Sequence, residues 1–260
     1  MLIFLIFYRN RVYIWLIHII IVLLHSETCN FRMKTIYRKY DKTEIPNLPR
    51  VTFTGEIRVV DTLEDVEAAV DYLLSQDILG VDTETRPSFR KGVKFEVSLL
   101  QVSSLDVCYL FRLNKIGVPP AVLRLLTDKK VPKIGLSWHD DLRHLHERAQ
   151  FEPGYFIDIQ EIAKAFGIAD MSLQKLYANL FHQKISKAQR LSNWEHGELR
   201  ESQKVYAATD AWACIMLYHE FANLKASEDY EIVEPIVHEP EAVQVDESAE
   251  TAPAANEEAN

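Results

Sequence analysis

The spacing of hydrophobic and polar residues changes several times along the chain, and each change predicts a new secondary-structure element. Thr62–Ser75 opens with a Thr and an acidic turn and then places apolar residues three and four positions apart, which predicts an amphipathic helix. The apolar run Ile78–Thr83 predicts a strand with an acidic residue near its end. Glu96–Ser103 and Val107–Leu113 are rich in strand-forming residues and are separated by a short turn-like segment. Together with the preceding strand, they predict a three-stranded meander.

Strands and helices alternate farther along the chain. Lys133–Ser137 and Tyr155–Ile159 have the apolar pattern of short strands. Helices are predicted over Pro120–Leu126, His139–Ala149 and the long segment Glu198–Leu224, and Ser172 is the predicted N-cap of one more helix. This order predicts an α/β fold, a single domain in which helices flank a central mixed sheet.

Residues 1–32 are far more apolar than the rest of the chain. Two apolar runs, Leu2–Tyr8 and Val12–Leu24, flank a basic segment. The second run is shorter than a membrane span of about 20 residues and fits the core of a signal peptide better, but no small-residue cleavage site follows it. A short N-terminal membrane anchor is the second interpretation, and a true start at Met33, where an ordinary polar sequence begins, is the third. We favour the start at Met33.

The negative charge is concentrated at the C-terminal end. The formal net charge is −9, but residues 226–260 contain eleven acidic and no basic residues, which leaves 27 acidic against 29 basic residues in residues 1–225. A nearly neutral body is compatible with nucleic-acid binding. The acidic end has neither a helical nor a strand period, so we expect it to be disordered. The predicted organisation is an apolar segment (1–32), a lead-in (33–50), one domain (51–225) and an acidic tail (226–260).

Composition narrows the class of protein further. A chain with 48% hydrophobic and 26% charged residues can bury one good-sized core. Cys29, Cys108 and Cys214 lie far apart without zinc-ligand spacing, so we expect buried thiols in a reducing compartment and a cytoplasmic location. The sequence has no phosphate-binding glycine loop and no dinucleotide fingerprint, which argues against a nucleotide cofactor.

Two carboxylates stand two residues apart near the end of the first predicted strand of the meander. The strand pleat points Asp82 and Glu84 to one face, with Val81 and Thr83 on the other. Neighbouring carboxylates repel each other, and a divalent cation would offset that repulsion. The alternative is that both are simply solvated at the strand end, as most isolated pairs of this kind are.

Two further segments carry candidate carboxylates. Asp140 and Asp141 lie where a predicted strand runs into a helix; this position suits Asp140 as a cap and leaves Asp141 as the candidate ligand. Tyr206 and Asp210 are four residues apart on the long predicted helix and therefore share a face. Asp210 lies in an Ala-rich apolar segment, where a buried carboxylate needs a partner. Four carboxylates from three elements are what a two-metal phosphoryl-transfer site requires.

These motifs resemble those of the DEDD superfamily of 3′→5′ exonucleases, in its Tyr-containing branch. The resemblance is strongest to bacterial relatives of the Werner-syndrome exonuclease domain, and ribonuclease D is more distant. The motifs are Asp82-Thr83-Glu84, then Gly135 followed by Asp141-Leu142, then Tyr206 followed by Asp210. The resemblance covers about residues 51–223 and includes the segments FIDIQ (156–160) and SKAQRLSNWE (186–195). The spacing from Gly135 favours Asp141 over Asp140.

The resemblance implies a ribonuclease H-like fold and the hydrolysis of phosphodiester bonds from a free 3′ end, with release of nucleoside monophosphates. It implies two divalent cations, Mg²⁺ or Mn²⁺, bound by Asp82, Glu84, Asp141 and Asp210. On this interpretation Asp82 bridges both ions, Glu84 and Asp210 hold the ion that activates water, and Asp141 supports the second ion. The Tyr206 hydroxyl would orient the attacking water.

The substrate is less clearly indicated. Arg190 and Trp194 lie just before the catalytic helix and suit phosphate contact and base stacking, although a solvated Arg and a core Trp fit equally well. The basic loop from Arg86 to Lys94 is a further candidate contact. We favour DNA, because no helical RNA-binding segment is recognisable after Leu224. The alternatives are an RNA-processing nuclease of the ribonuclease D type and a catalytically silent nucleic-acid-binding module.

Overall fold

The computed structural model describes residues 33–234, which form a mixed sheet with helices on both faces. The strands are β1 (Lys34–Tyr37), β2 (Glu56–Val60), β3 (Leu79–Thr85), β4 (Val97–Ser103), β5 (Val107–Phe111), β6 (Lys133–Gly135), β7 (Phe156–Asp158) and β8 (Tyr230–Val233). The helices are α1 (Val66–Leu74), α2 (Leu113–Ile116), α3 (Pro120–Thr127), α4 (Trp138–Arg148), α5 (Ile159–Ala165), α6 (Leu173–Phe181) and α7 (Glu201–Ser227), and Ile45–Asn47 forms a 3-10 turn.

The main sheet has six strands in the order β2-β5-β4-β3-β6-β7. β3, β4 and β5 pair antiparallel, which confirms the predicted meander, and the remaining pairs are parallel. The predicted N-cap is also confirmed, since the Ser172 side chain accepts a hydrogen bond from the backbone N–H of Lys175. Thr62 does not cap α1; the helix begins four residues later, at Val66, and the Thr62 hydroxyl donates to Asp65 at 2.9 Å.

Close packing of α7 on β3 determines what can lie between them. Gly80 has no side chain, and a Cβ built there would lie 2.0 Å from the backbone carbonyl oxygen of Ala211. Only glycine permits this approach of helix to strand. Asp82 and Glu84 project from the same face of β3 as Gly80, so they lie against α7 where the helix carries Asp210.

A second, two-stranded sheet joins the two ends of the described chain. β1 pairs parallel with β8, and Ile36 in β1 is fully buried. Asn179 of α6 holds β1 from its other side: its side chain accepts from the backbone N–H of Tyr37 at 2.9 Å and donates to the Tyr37 carbonyl at 2.6 Å. The expectation of disorder from Ala226 onward was therefore wrong as far as Val233, because strand pairing gives this segment a partner from the opposite end of the chain.

Several sequence-based expectations fall outside residues 33–234. They are the interpretations of residues 1–32, the burial of Cys29 and the disorder of residues 235–260. Cys108 and Cys214 are buried free thiols, as expected. Among the described helices, none is both long and apolar enough to cross a membrane.

Candidate active site

Three carboxylates from two elements converge between β3 and α7. Asp82 and Glu84 come from β3 and Asp210 comes from α7. One oxygen of each carboxylate lies within 4.8 Å of the others. Glu84 and Asp210 are only 9% and 7% exposed, and Asp82 is half-buried. These three residues, which we call the carboxylate cluster, are the predicted set without Asp141.

Burial shifts the pKa of all three carboxyl groups upwards, and repulsion by neighbouring carboxylates adds to this shift for Asp82 and Glu84. Burial, followed by the charges of Asp82 and Asp210, raises the pKa of Glu84 to about 10. Burial raises the pKa of Asp210 to about 7, although the Tyr206 hydroxyl opposes this shift. Burial and the charge of Asp210 also raise the pKa of Asp82. A cation placed among these groups would favour their ionised forms.

Asp141 lies apart from the carboxylate cluster, in the first turn of α4. Its carboxylate accepts a hydrogen bond from the Thr83 hydroxyl, which projects from the opposite face of β3 to Asp82. Burial raises the pKa of Asp141 to about 6, although this hydrogen bond lowers it. Asp140 is exposed and forms an ion pair with Arg143 at 3.3 Å. The charge of Asp141 contributes to the raised pKa of both Asp82 and Glu84, so Asp141 stays the candidate of the two.

A residue that the sequence did not single out fixes the start of α4. Asp158, at the end of β7, accepts hydrogen bonds from the backbone N–H groups of Ser137 and Trp138, both at 3.0 Å, and also caps α5. Ser137 has a left-handed backbone with φ of 63°. These bonds set the direction in which α4 presents Asp141. The FIDIQ segment contains Asp158, but nothing in its pattern marks this carboxylate as a cap.

Tyr206 lies one turn before Asp210 on α7 and is 8% exposed. Burial and the nearby charges of Asp210 and Glu84 raise the pKa of Tyr206, so its hydroxyl stays protonated at neutral pH. The Trp194 ring lies beside it, with 6.0 Å between the ring centroids. Trp194 is 0% exposed, which favours the alternative of a core tryptophan over a ring that stacks on a nucleobase. It is a core residue that packs against Tyr206.

Two exposed cations act on the carboxylate cluster. The charge of Arg190 lowers the pKa of Glu84 and that of Lys187 lowers the pKa of Asp210, although burial outweighs both effects. Within residues 33–234, neither Arg190 nor Lys187 forms an ion pair at short range. Both are therefore available to a phosphate. Lys187 was not among the predicted contacts, although it lies in the same segment as Arg190.

The loop between β3 and β4 contacts the segment 186–195, which contains Lys187 and Arg190. Arg86 forms an ion pair with Glu195 at 3.1 Å and lies over the Phe95 ring, 4.6 Å from its centroid. Arg86 is thus partly engaged within the protein, whereas the other three loop cations are exposed: Arg90, Lys91 and Lys94. Phe89, at the same loop, is 83% exposed. The loop therefore presents both positive charge and an aromatic ring to solvent.

The sequence that forms this site matches a known family. A family model for 3′-5′ exonucleases matches residues 57–225. The chain belongs to this 3′-5′ exonuclease family. It is therefore a hydrolase that acts on nucleic-acid phosphodiester bonds, and the recognition of an exonuclease from the three motifs is confirmed.

Curated relatives agree with this assignment. The mouse bifunctional 3′-5′ exonuclease/ATP-dependent helicase WRN is 31% identical over 193 residues, covering 68% of this chain and 13% of that protein. A 3′-5′ exonuclease of Arabidopsis thaliana is 28% identical over 208 residues, covering 73% of this chain and 72% of that protein. The chain thus spans a small part of the mouse relative and most of the plant one.

Solved structures share the fold at low sequence identity. The EXO domain of Aedes aegypti Nibbler superimposes with a TM-score of 0.63 at 19% identity, covering 70% of this chain and 95% of that one. Escherichia coli RNase D superimposes with a TM-score of 0.57 at 18% identity, covering 68% of this chain and 52% of that one. These neighbours confirm the expected ribonuclease H-like exonuclease fold.

Proposed function

We propose that this protein removes nucleotides one at a time from the 3′ end of DNA in a reaction that depends on two divalent cations, Mg²⁺ or Mn²⁺. The observation that carries this proposal is the carboxylate cluster, three largely buried carboxylates within 4.8 Å of one another with a protonated Tyr206 beside them. The donor atoms are all carboxylate oxygens, which hard divalent cations prefer.

The three residues of the cluster and Asp141 have separate proposed roles. Asp82, Glu84 and Asp210 would hold the divalent cations through their carboxylate oxygens, and Asp141 would contribute from the start of α4. Cations bound there would stabilise negative charge on the attacking and leaving oxygens and lower the pKa of a bound water. The raised pKa values of the carboxylate cluster support this assignment, because they show that positively charged groups of the protein do not offset the negative charge of the three carboxylates.

Tyr206 orients the attacking water and does not act as a base. Its pKa is raised by burial and by Asp210, so it keeps its proton at neutral pH and can donate a hydrogen bond. Arg190 and Lys187 contact the phosphates near the 3′ end in this proposal, which is supported by their exposure and by their electrostatic effects on Glu84 and Asp210. The exposed cations of the β3–β4 loop extend this positive surface.

The names of the relatives point both ways, since the mouse relative joins an exonuclease with a helicase and others are ribonuclease D. Phosphate contacts alone do not separate DNA from RNA, because both polymers carry the same backbone charge. The 2′-hydroxyl is the group that distinguishes them. A direct comparison of the two substrates is therefore the deciding measurement.

The test uses 5′-labelled DNA and RNA oligonucleotides of matched sequence, with Mg²⁺, Mn²⁺ or excess chelator. We expect a ladder of 5′-labelled products that shortens from the 3′ end, faster on DNA, and no products in chelator. A 3′-labelled copy of the same oligonucleotide should release labelled mononucleotide. Circular single-stranded DNA, which has no 3′ end, should stay uncut. The Asp82→Ala variant should be inactive on every substrate. Faster cleavage of RNA would favour the ribonuclease D type of function. Binding without cleavage under every metal condition would favour a silent binding module.

A further inference from the structure

The side chain of Gln101 is a fully buried amide without a hydrogen-bond partner. Gln101 lies on β4 and is 0% exposed, and neither its Nε2 nor its Oε1 bonds to any residue within 33–234. Buried polar groups in folded proteins are nearly always hydrogen-bonded, because leaving one unpaired costs free energy. Among the described residues, Gln101 leaves two buried polar atoms unpaired, whereas Trp138 and Trp194 each leave one. The Gln101 amide can therefore still bond to a group that comes within reach.

Strand pairing places this amide beside the carboxylate cluster. In the antiparallel pairing of β3 with β4, Gln101 is the direct cross-strand neighbour of Asp82. Such neighbours project from the same face of a sheet, with Cβ atoms about 4.5–5.5 Å apart. The Gln101 side chain is thus directed to the face on which Asp82 meets α7.

The other neighbours of Gln101 on this face of the sheet are two leucines and Ser103. Its cross-strand neighbour on β5 is Leu110, and Leu99 lies two residues earlier on the same face of β4. Both leucines are fully buried in a cluster that also contains Trp194, Tyr206 and two alanines of α7. The leucine and alanine side chains cannot form hydrogen bonds, and the Ser103 hydroxyl already donates to the Ser104 carbonyl oxygen at 2.7 Å. Asp82 is therefore the polar side chain that the sheet places directly opposite the amide.

We propose that Gln101 is a positioning residue for Asp82, and that its amide N–H donates to the Asp82 carboxylate when a divalent cation is bound. The hydrogen bond would leave the remaining oxygen lone pairs of Asp82 aimed at the ion. This inference rests on the proposed metal-binding function of Asp82. Carboxylate ligands usually have such partners, and losing one typically weakens metal binding about 10- to 100-fold.

The test replaces Gln101 with Met, which has a similar length and no hydrogen-bonding group. Mn²⁺ binding is measured by titration calorimetry, and unfolding temperature is measured without metal. Gln101→Met should bind Mn²⁺ at least tenfold more weakly than wild type, while its metal-free unfolding temperature stays the same or rises. Leu99→Met is the matched control: it alters packing opposite Glu84 without removing a polar group, and its Mn²⁺ affinity should stay within about threefold of wild type.

The two readouts separate this proposal from a merely structural role. If Gln101 is only an unpaired core residue, Gln101→Met will raise the metal-free unfolding temperature and leave Mn²⁺ affinity unchanged, which overturns the proposal. If wild-type protein itself does not bind Mn²⁺, the proposed function fails and not only the role of Gln101. Binding by wild type together with equal binding by Gln101→Met rejects the positioning role alone.

A second measurement uses only the wild-type protein. In wild-type protein, the side-chain amide protons of Gln101 should shift in the NMR spectrum and become protected from exchange as Mg²⁺ is added. Resonances that keep the same position and exchange rate through saturation would overturn the proposal, even if Gln101→Met does not fold.

Discussion

Replacing Asp210 with Asn should stabilise the metal-free protein although it abolishes exonuclease activity. Burial raises the pKa of Asp210 from 3.8 to about 7, so the ionised carboxylate is disfavoured in the folded protein relative to the unfolded chain. The contribution of Asp210 to stability is therefore fully present below pH 3.8 and is lost as the pH rises through 7. Asn has nearly the same shape, keeps an acceptor for the Tyr206 hydroxyl and carries no charge.

The interval between the two pKa values sets the size of this effect. At about 1.4 kcal/mol for each pH unit, the interval from 3.8 to about 7 corresponds to roughly 4 kcal/mol at pH 8.5. At pH 5 the same relation gives roughly 2 kcal/mol. Asp210 is 7% exposed, so solvent screening removes little of it. In a domain of this size, about 4 kcal/mol changes the unfolding temperature by roughly 10 °C.

The assay is thermal unfolding by circular dichroism in excess chelator at pH 5 and pH 8.5. Asp210→Asn should unfold at a higher temperature than wild type, with the larger difference at pH 8.5. Added Mn²⁺ should raise the unfolding temperature of wild type and much less that of the variant. The control is Asp140→Asn, an exposed carboxylate paired with Arg143, which should change the unfolding temperature little. An Asp210→Asn protein that unfolds at or below the wild-type temperature at pH 8.5 would refute the reasoning.

Three further outcomes follow from the described contacts. Tyr206→Phe should slow single-turnover cleavage by no more than roughly 100-fold, because the hydroxyl orients water and is not the base; a wild-type rate would exclude that role. Arg190→Ala should raise KM for an oligonucleotide and reduce its salt dependence, unlike Arg143→Ala, and equal effects of the two would remove Arg190 from the substrate path. A chain ending at Glu228 should unfold several degrees lower than one ending at Glu234, since only the first loses β8; equal unfolding temperatures would show that the β1–β8 pair contributes nothing.

The sequence predicted those parts of the site in which the spacing of nearby residues determines the face on which their side chains lie. Residues two apart on a strand lie on the same face, so the sequence predicted that Asp82 and Glu84 are neighbours. Residues four apart on a helix also share a face, so it predicted that Tyr206 and Asp210 are neighbours. Each relation depends on a few consecutive residues. The antiparallel meander followed in the same way, because a short turn links its strands.

Relations between distant segments were not predictable from such periods. β1 has four residues and pairs with β8 near the opposite end of the described chain, and neither segment has a pattern that specifies its partner. The burial of Trp194 depends on its packing against Tyr206, which no spacing within its own segment shows. The cap formed by Asp158 was also not predictable from local spacing, since Asp158 accepts hydrogen bonds from Ser137 and Trp138, about 20 residues earlier in the chain.

The site also depends on a residue without a side chain, and this gives a last prediction. The carboxylate cluster is held together by the approach of α7 to β3 at Gly80, where an added Cβ would lie 2.0 Å from the Ala211 carbonyl oxygen and 2.9 Å from Ile215 Cγ1. Backbone cannot yield as a flexible side chain can, so Gly80→Ala should displace α7 and separate Asp210 from Asp82.

Gly80→Ala should therefore weaken Mn²⁺ binding although no ligand has changed, and overpacking should destabilise the protein by about 1–3 kcal/mol. The matched control is Gly197→Ala, because a Cβ there meets nothing within 4 Å. Calorimetric Mn²⁺ titration and thermal unfolding of both variants measure the two effects separately. A Gly80→Ala protein that is destabilised but binds Mn²⁺ as wild type does would show that the distance between α7 and β3 does not set the affinity. Weakened Mn²⁺ binding would show that the backbone contact at Gly80, two residues before Asp82, determines the geometry of the carboxylate cluster.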